Sequence, residues 1–127
     1  VRQWVVRSLS DTSVEADLAR EFFVGGQPEG MVADEARNRL FVGEEDAGIW
    51  MYTLAPDAPS TRTLVDAVAP VGAHLTADVE GLAIADDRAG RGYLVASSQG
   101  SDRFVAYDID TLRVAFTFRV TGTDTLD

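Results

Sequence analysis

Apolar and polar positions alternate along this chain in short bursts, none of which keeps a helical period. The bursts are β-branched and aromatic: "VRQWVVRSL" at 1–9, "LFVG" at 40–43, "GIWMYTL" at 48–54, "TRTLVDAV" at 61–68, "GYLVASS" at 92–98, "RFVAYDI" at 103–109 and "RVAFTFRV" at 113–120. Turn-forming residues separate them, as in "ARN" at 36–38 and "DRAGRG" at 87–92. Period-two alternation bounded by Gly, Asp, Asn and Pro predicts strands joined by tight turns. One departure is expected in the loop "SDTSVEADLAR", where 14–20 could hold a helical turn.

The strands fall into a repeat. With Glu29 set on Glu80, an offset of 51 residues, "EGMVADEARNRLFVGEEDAGIWMYTL" lies over "EGLAIADDRAGRGYLVASSQGSDRFVAYDI". Each copy reads Glu-Gly, apolar strand, turn, second strand, polar knot, then a third strand carrying Tyr. A short insertion brings Tyr52 over Tyr107, an offset of 55. A fourth strand follows each copy, and the N-terminus repeats only the back half, as "VRQWVVRSL", a loop and "REFFVGG".

A four-stranded unit of about 50 residues in tandem is the signature of a β-propeller blade. The expected fold is therefore all-β: about two and a half blades of four-stranded antiparallel sheet, divided as a half blade over 1–26, a blade over 27–75, a blade over 76–120 and the start of another over 121–127. Two and a half blades cannot close a ring of ~4–8, so the chain is expected to be a piece of a longer propeller. A small twisted sandwich is the competing architecture.

The repeat makes a geometric prediction about chemistry, because equivalent positions of successive blades point to one region around the ring axis. Glu29 and Glu80 are equivalent, at the start of the innermost strand, and Glu45 and Gln99 are near-equivalent at the end of the second. Asp78 lies two residues before Glu80 and faces the same side of an extended segment. Four carboxylates and an amide oxygen would thus share one end of the molecule. Bare carboxylates that close raise one another's pKa, and a hard cation relieves the repulsion. One His, no Cys and many acids favour calcium, which takes six to eight oxygen ligands in loose geometry, over zinc or copper. The bland alternative is that acids at strand ends cap turns or stay solvated. It weakens where the acids recur at matching blade positions.

Composition sharpens this picture only in places. The net charge of −10 disfavours nucleic acid and anionic membranes, which need clustered Lys and Arg. Without Cys there is no thiolate nucleophile or disulfide. No apolar run approaches the ~18 residues of a membrane span. The single His, His74 in "GAHLTAD", reads as a loop or packed residue rather than a nucleophile. Trp4, Phe22, Phe23, Trp50, Tyr93 and Phe104 read as packing aromatics. Arg37, Arg39, Arg88 and Arg91 fall in turns, where solvation is expected. "GGQPEG" at 25–30 lacks the Gly-Lys-Ser/Thr of a phosphate loop.

The motifs "QPEGMVADE" at 27–35, "LFVGEEDAGIWMY" at 40–52, "HLTADVEGLAI" at 74–84 and "GYLVASSQGSDRFVAYD" at 92–108 resemble, in order and spacing, the β-propeller phytases, the alkaline calcium-dependent phytase family. The resemblance covers most of the chain from Gln27 onward. It implies a six-bladed propeller that releases phosphate from phytate, inositol hexakisphosphate, with several calcium ions at one end of the channel. It also implies calcium ligands at Glu29, Glu45, Asp78, Glu80, Gln99 and, at the chain's end, Asp127. Glu80 or Glu45 would in addition orient or deprotonate the attacking water.

This sequence departs from the family at Ala73, where a basic residue is usual, and at Ala77, where Pro is usual. The blades that would supply further ligands and phosphate-binding Lys and Arg are not in it. The segment alone is therefore expected to be inactive, and the whole protein is expected to be a secreted or periplasmic monomer acting on a small molecule. Two other function classes stay open. One is a lactonase-like calcium hydrolase with a single metal. The other is a non-catalytic binding platform with structural calcium.

Overall fold

The computed structural model describes residues 1–86 and 91–122. It is all-β, with ten strands in three antiparallel sheets and two single 3₁₀ turns among the described residues. The first sheet is a hairpin of β1 (Arg2–Ser10) and β2 (Ser13–Glu21). The second runs β3 (Pro28–Asp34), β4 (Arg39–Glu44), β5 (Gly48–Thr53) and β6 (Arg62–Ala67), each strand beside the next. The third repeats that meander with β7 (Val79–Asp86), β8 (Gly92–Ser98), β9 (Arg103–Asp108) and β10 (Val114–Phe118). Successive four-stranded meanders packed face to face are the blades of a propeller.

The helical turn expected near 14–20 is not formed. Those residues lie in β2 and pair along β1, from Arg2 opposite Glu21 to Ser10 opposite Ser13. The expected loop is a two-residue turn at Asp11 and Thr12. Cross-strand pairing with β1 supplies backbone partners to a segment too short to nucleate a helix unaided.

The blades share two apolar layers. Phe41 and Ile49 of the second sheet meet Val79, Leu94, Val105 and Tyr107 of the third in the main core. On the other face of the second sheet, Val42 and Tyr52 pack on Phe22 and Val24, with the Phe22 and Tyr52 rings 4.6 Å apart. Three of the packing aromatics behave otherwise. Phe23 is 95% exposed and Trp4 49% exposed, and Trp50 is half-buried under the Arg62 guanidinium, 3.7 Å above its ring. Phe22 and Phe23 follow the end of β2, and as adjacent residues of an extended segment they point opposite ways, Phe22 toward Tyr52 and Phe23 away from the core.

Arg39 is not solvated. It opens β4 and donates from Nε (3.1 Å) and Nη2 (2.5 Å) to Asp34, which is only 5% exposed. The same Nη2 reaches the Ile109 carbonyl of the next blade at 2.7 Å. Arg37 is exposed and pairs with Asp110 across the blades at 2.7 Å. Both clasps lie at the end of the sheets opposite the starts of β3 and β7. Arg88 lies outside the described residues.

Candidate functional site

The two Glu-Gly pairs sit at the same irregularity. In the second sheet Pro28 pairs with Glu44 and Met31 with Val42, so three steps on β3 span two on β4. In the third sheet Val79 pairs with Ser98 and Leu82 with Ala96, the same mismatch. Each innermost strand therefore carries one extra residue, a bulge in which Glu29-Gly30 faces Gly43 and Glu80-Gly81 faces Ser97. Bulges re-aim a side chain out of the regular pleat. Here they turn two equivalent glutamates at the same end of adjacent blades.

Gly30 follows Glu29 for a steric reason. A Cβ there would strike the backbone of the neighbouring innermost strand, lying 2.6 Å from the Leu82 nitrogen and closer still to the Glu80 carbonyl oxygen. Only a residue without Cβ lets β3 lie on β7 at this point. The close approach fixes Glu29 relative to Glu80.

Glu45 and Gln99 occupy matching positions, each one residue past the end of the second strand. The Glu45 N–H donates to the Gln27 carbonyl (3.0 Å) and the Gln99 N–H to the Asp78 carbonyl (2.9 Å). The blades are also joined here, because the Val79 N–H, between Asp78 and Glu80, donates to the Glu45 carbonyl at 3.1 Å. Glu29, Glu45, Asp78, Glu80 and Gln99 are all half-buried, which suits groups that meet a ligand at a rim. The backbone thus brings together the five described residues that the sequence singles out. Asp127 lies outside the described residues.

Two supporting residues escaped sequence reading. Glu44, 8% exposed, accepts from the Gly26 N–H (2.5 Å) and Trp50 Nε1 (2.6 Å) and faces Arg62 at 3.4 Å. Ser98, fully buried, occupies the equivalent place. Its Oγ accepts from the Thr76 N–H (2.8 Å) and donates to the Thr76 carbonyl (3.0 Å). Each side chain latches the segment leading into an innermost strand, and so sets where Glu29 or Asp78 and Glu80 begin. The available signal was the doublet Glu44-Glu45. Adjacent strand residues face opposite ways, so one acid had to turn inward. His74 is an exposed loop residue, its Nδ1 3.3 Å from Asp66 on β6.

The acids share a field. The Glu45 carboxyl is raised above the usual glutamate range, first by loss of solvent and then by the negative charges of Asp78, Asp46 and Glu29. Among the described residues no three His, Cys, Asp or Glu side chains converge tightly enough to hold a metal ion. The all-oxygen donors and their mutual repulsion are of the chemistry that suits a hard cation.

A pH prediction follows from the direction of that shift. A carboxyl whose folded pKa exceeds its unfolded value adds stability while protonated, below the ordinary glutamate range, and loses it as pH rises through the raised value. At neutral pH the ionised Glu45 is then destabilising in metal-free protein. Glu45→Gln should raise the Tm in chelator at pH 7, and the gain should shrink toward about pH 4, where glutamates protonate. Melting curves of both proteins across this range decide it, and an equal gap at every pH would refute the repulsion.

A bulged Glu-Gly at the head of both described innermost strands, with acids and an amide at one rim of two packed four-stranded meanders, defines part of a β-propeller with an acidic rim. The phytase family model matches residues 2–127, and the chain belongs to that family. It is 42% identical over 95 residues to the 3-phytase of Bacillus subtilis (strain 168), an alignment covering 75% of this chain and 24% of that protein. The chain thus spans about a quarter of the length of this relative.

Proposed function

We propose that the protein carrying this segment is a calcium-dependent phosphomonoester hydrolase that releases phosphate from phytate, and that residues 27–99 supply one side of its metal-binding rim. The observation that carries the reading is the shared field of Glu45, Asp78 and Glu29 at a rim built twice by the same bulge, in a chain of the phytase family. The relative's printed activity, a 3-phytase, supports phytate as substrate.

Glu29, Glu45, Asp78 and Glu80 would hold calcium through carboxylates and Gln99 through its amide oxygen. Bound calcium supplies positive charge that admits a polyanion to an acidic rim and promotes the ionisation of water. Glu80 or Glu45 would take up the proton of the water that attacks phosphorus, while the bond from phosphorus to the inositol oxygen breaks and that oxygen leaves with a proton as the alcohol. The complete ring has six blades. Its next blade covers the face of the third sheet where the rings of Tyr93, Phe104, Phe116 and Phe118 meet with neighbouring centroids 5.1–6.0 Å apart. Weak oxygen sites suit millimolar calcium, which places the proposed activity in a secreted or periplasmic protein.

The test is phosphate release from phytate by the complete protein, with calcium and then with a chelator. Release should fall to background on chelation and return with calcium. Release that persists in chelator would sink the calcium mechanism. No release in either condition, with calcium still raising the Tm, would point to a structural-calcium platform instead.

A further inference from the structure

Ser97 is 2% exposed, and its Oγ finds no hydrogen-bond partner among the described residues. Buried hydroxyls are costly to leave unpaired, and native chains keep few of them. On either side of it along β8, Ala96 points into the main core and Ser98 Oγ bonds Thr76. Successive strand residues face opposite ways, so Ser97 turns to the face of the third sheet that lies away from the second. Phe104 stands directly opposite it in the ladder, and Tyr93 lies four residues back on the same side.

The first complete blade shows what this place meets once another blade follows. Gly43 holds the matching position, since each residue lies across from the bulge that carries Glu-Gly. A Cβ on Gly43 would stand 3.4 Å from the Val79 carbonyl oxygen and 3.5 Å from that of Glu80, on the innermost strand of the next blade. A serine whose Oγ donates at about 2.8 Å holds its Cβ about 3.5 Å from the acceptor. The place is therefore spaced for a hydroxyl. At Gly43 the Val79 side chain fills it, with Cγ1 3.4 Å from the same Cβ position. Ser97 brings the hydroxyl itself.

We infer that Ser97 is a positioning residue. In the complete protein its Oγ–H donates to a backbone carbonyl at the head of the innermost strand that follows the third sheet, and fixes where that strand presents its oxygen ligand at the rim. That role rests on the calcium propeller proposed for the complete protein and deepens it. Val79 and Glu80 show why such a bond reaches the site. Their carbonyls lie on either side of the Glu80 Cα, so a hydrogen bond to one of them holds the backbone of a proposed ligand. Ser97 holds the counterpart of Glu80 one blade further on. Outer partners that orient a metal ligand are commonly worth about 10–100-fold in metal affinity.

The test uses the complete protein, as wild type, Ser97→Ala and Ser97→Gly, with melting curves in chelator and calcium titration by calorimetry well below the Tm. Alanine removes the hydroxyl and keeps the Cβ. With the bond formed, Ser97→Ala should lower the Tm in chelator by about 1–3 °C. An unpaired hydroxyl would give the opposite sign or no change, because alanine relieves its desolvation. Calcium affinity of at least one site should fall about tenfold. Ser97→Gly, which has room because the first blade carries Gly43 here, should lose calcium affinity as alanine does. A lower Tm with unchanged calcium affinity would make the bond structural only and overturn the positioning role. An unchanged or higher Tm in chelator would overturn the bond. If wild type binds no calcium, the calcium reading fails and the positioning role falls with it, while the Tm in chelator still judges the bond.

Discussion

Gly30→Val is expected to destabilise the protein by at least about 3 kcal/mol, the upper end of overpacking effects. The new side chain would meet the Glu80 carbonyl and the Leu82 amide of β7. These are backbone atoms, which cannot swing aside as a flexible side chain can. Relief requires β3 to move away from β7, and that opens the main core along Val79 and Leu82. Function should suffer separately from stability. Glu29 precedes Gly30 and would be carried away from Glu80, and a 1 Å misplacement at a reacting centre can cost about 10²-fold. Denaturant unfolding and phosphate release well below the Tm give the two readouts. Ala33→Val on an exposed position of the same strand is the control, expected within about 0.5 kcal/mol of wild type. A Gly30→Val protein as stable as this control would mean that the innermost strands do not meet where the structure places them.

That contact shows how far the sequence could be read. Periodicity alone located all four strands of each complete blade, because alternating short apolar runs leave few other ways to bury them. The offset between copies located Glu29 with Glu80 and Glu45 with Gln99, and the matching backbone bonds from Glu45 to Gln27 and from Gln99 to Asp78 confirm the equivalence. The bulge itself was hidden. Its only trace was a glycine inside a strand, which marks either a bulge or a close approach, and here it serves both. Misread residues were those whose fate depends on distant partners. Arg39 looks like a turn residue in "ARNRL", and nothing nearby announces that Ile109, 70 positions on, would take its guanidinium. Phe22 and Phe23 look alike in sequence, yet past the end of β2 one packs on Tyr52 and the other is bare.

Arg39→Ala should cost about 3–5 kcal/mol, the usual penalty for removing one partner of a buried ion pair. Arg39 grips Asp34 with two nitrogens, stacks 5.3 Å from the Phe41 ring centroid and satisfies the Ile109 carbonyl. Without it Asp34 keeps a nearly dry carboxylate whose remaining contacts are the Arg37 N–H at 3.2 Å and the Arg37 side chain at 3.5 Å. The loss should persist in high salt, since buried pairs are weakly screened. Arg39→Lys keeps the charge but not the fork, and should fall between. The combination Asp34→Leu with Arg39→Met removes both charges, and such apolar replacements are often neutral. It should recover most of the loss but not the cap that Asp34 provides to the turn Glu35–Arg37, worth about 1 kcal/mol. Because this clasp joins the blades at the end opposite Glu29 and Glu80, phosphate release measured well below the Tm should hardly change. A single Arg39→Ala penalty no larger than that of the double replacement would show that burial of the Asp34 charge is not what Arg39 relieves, and that its worth lies in the Ile109 contact between the blades.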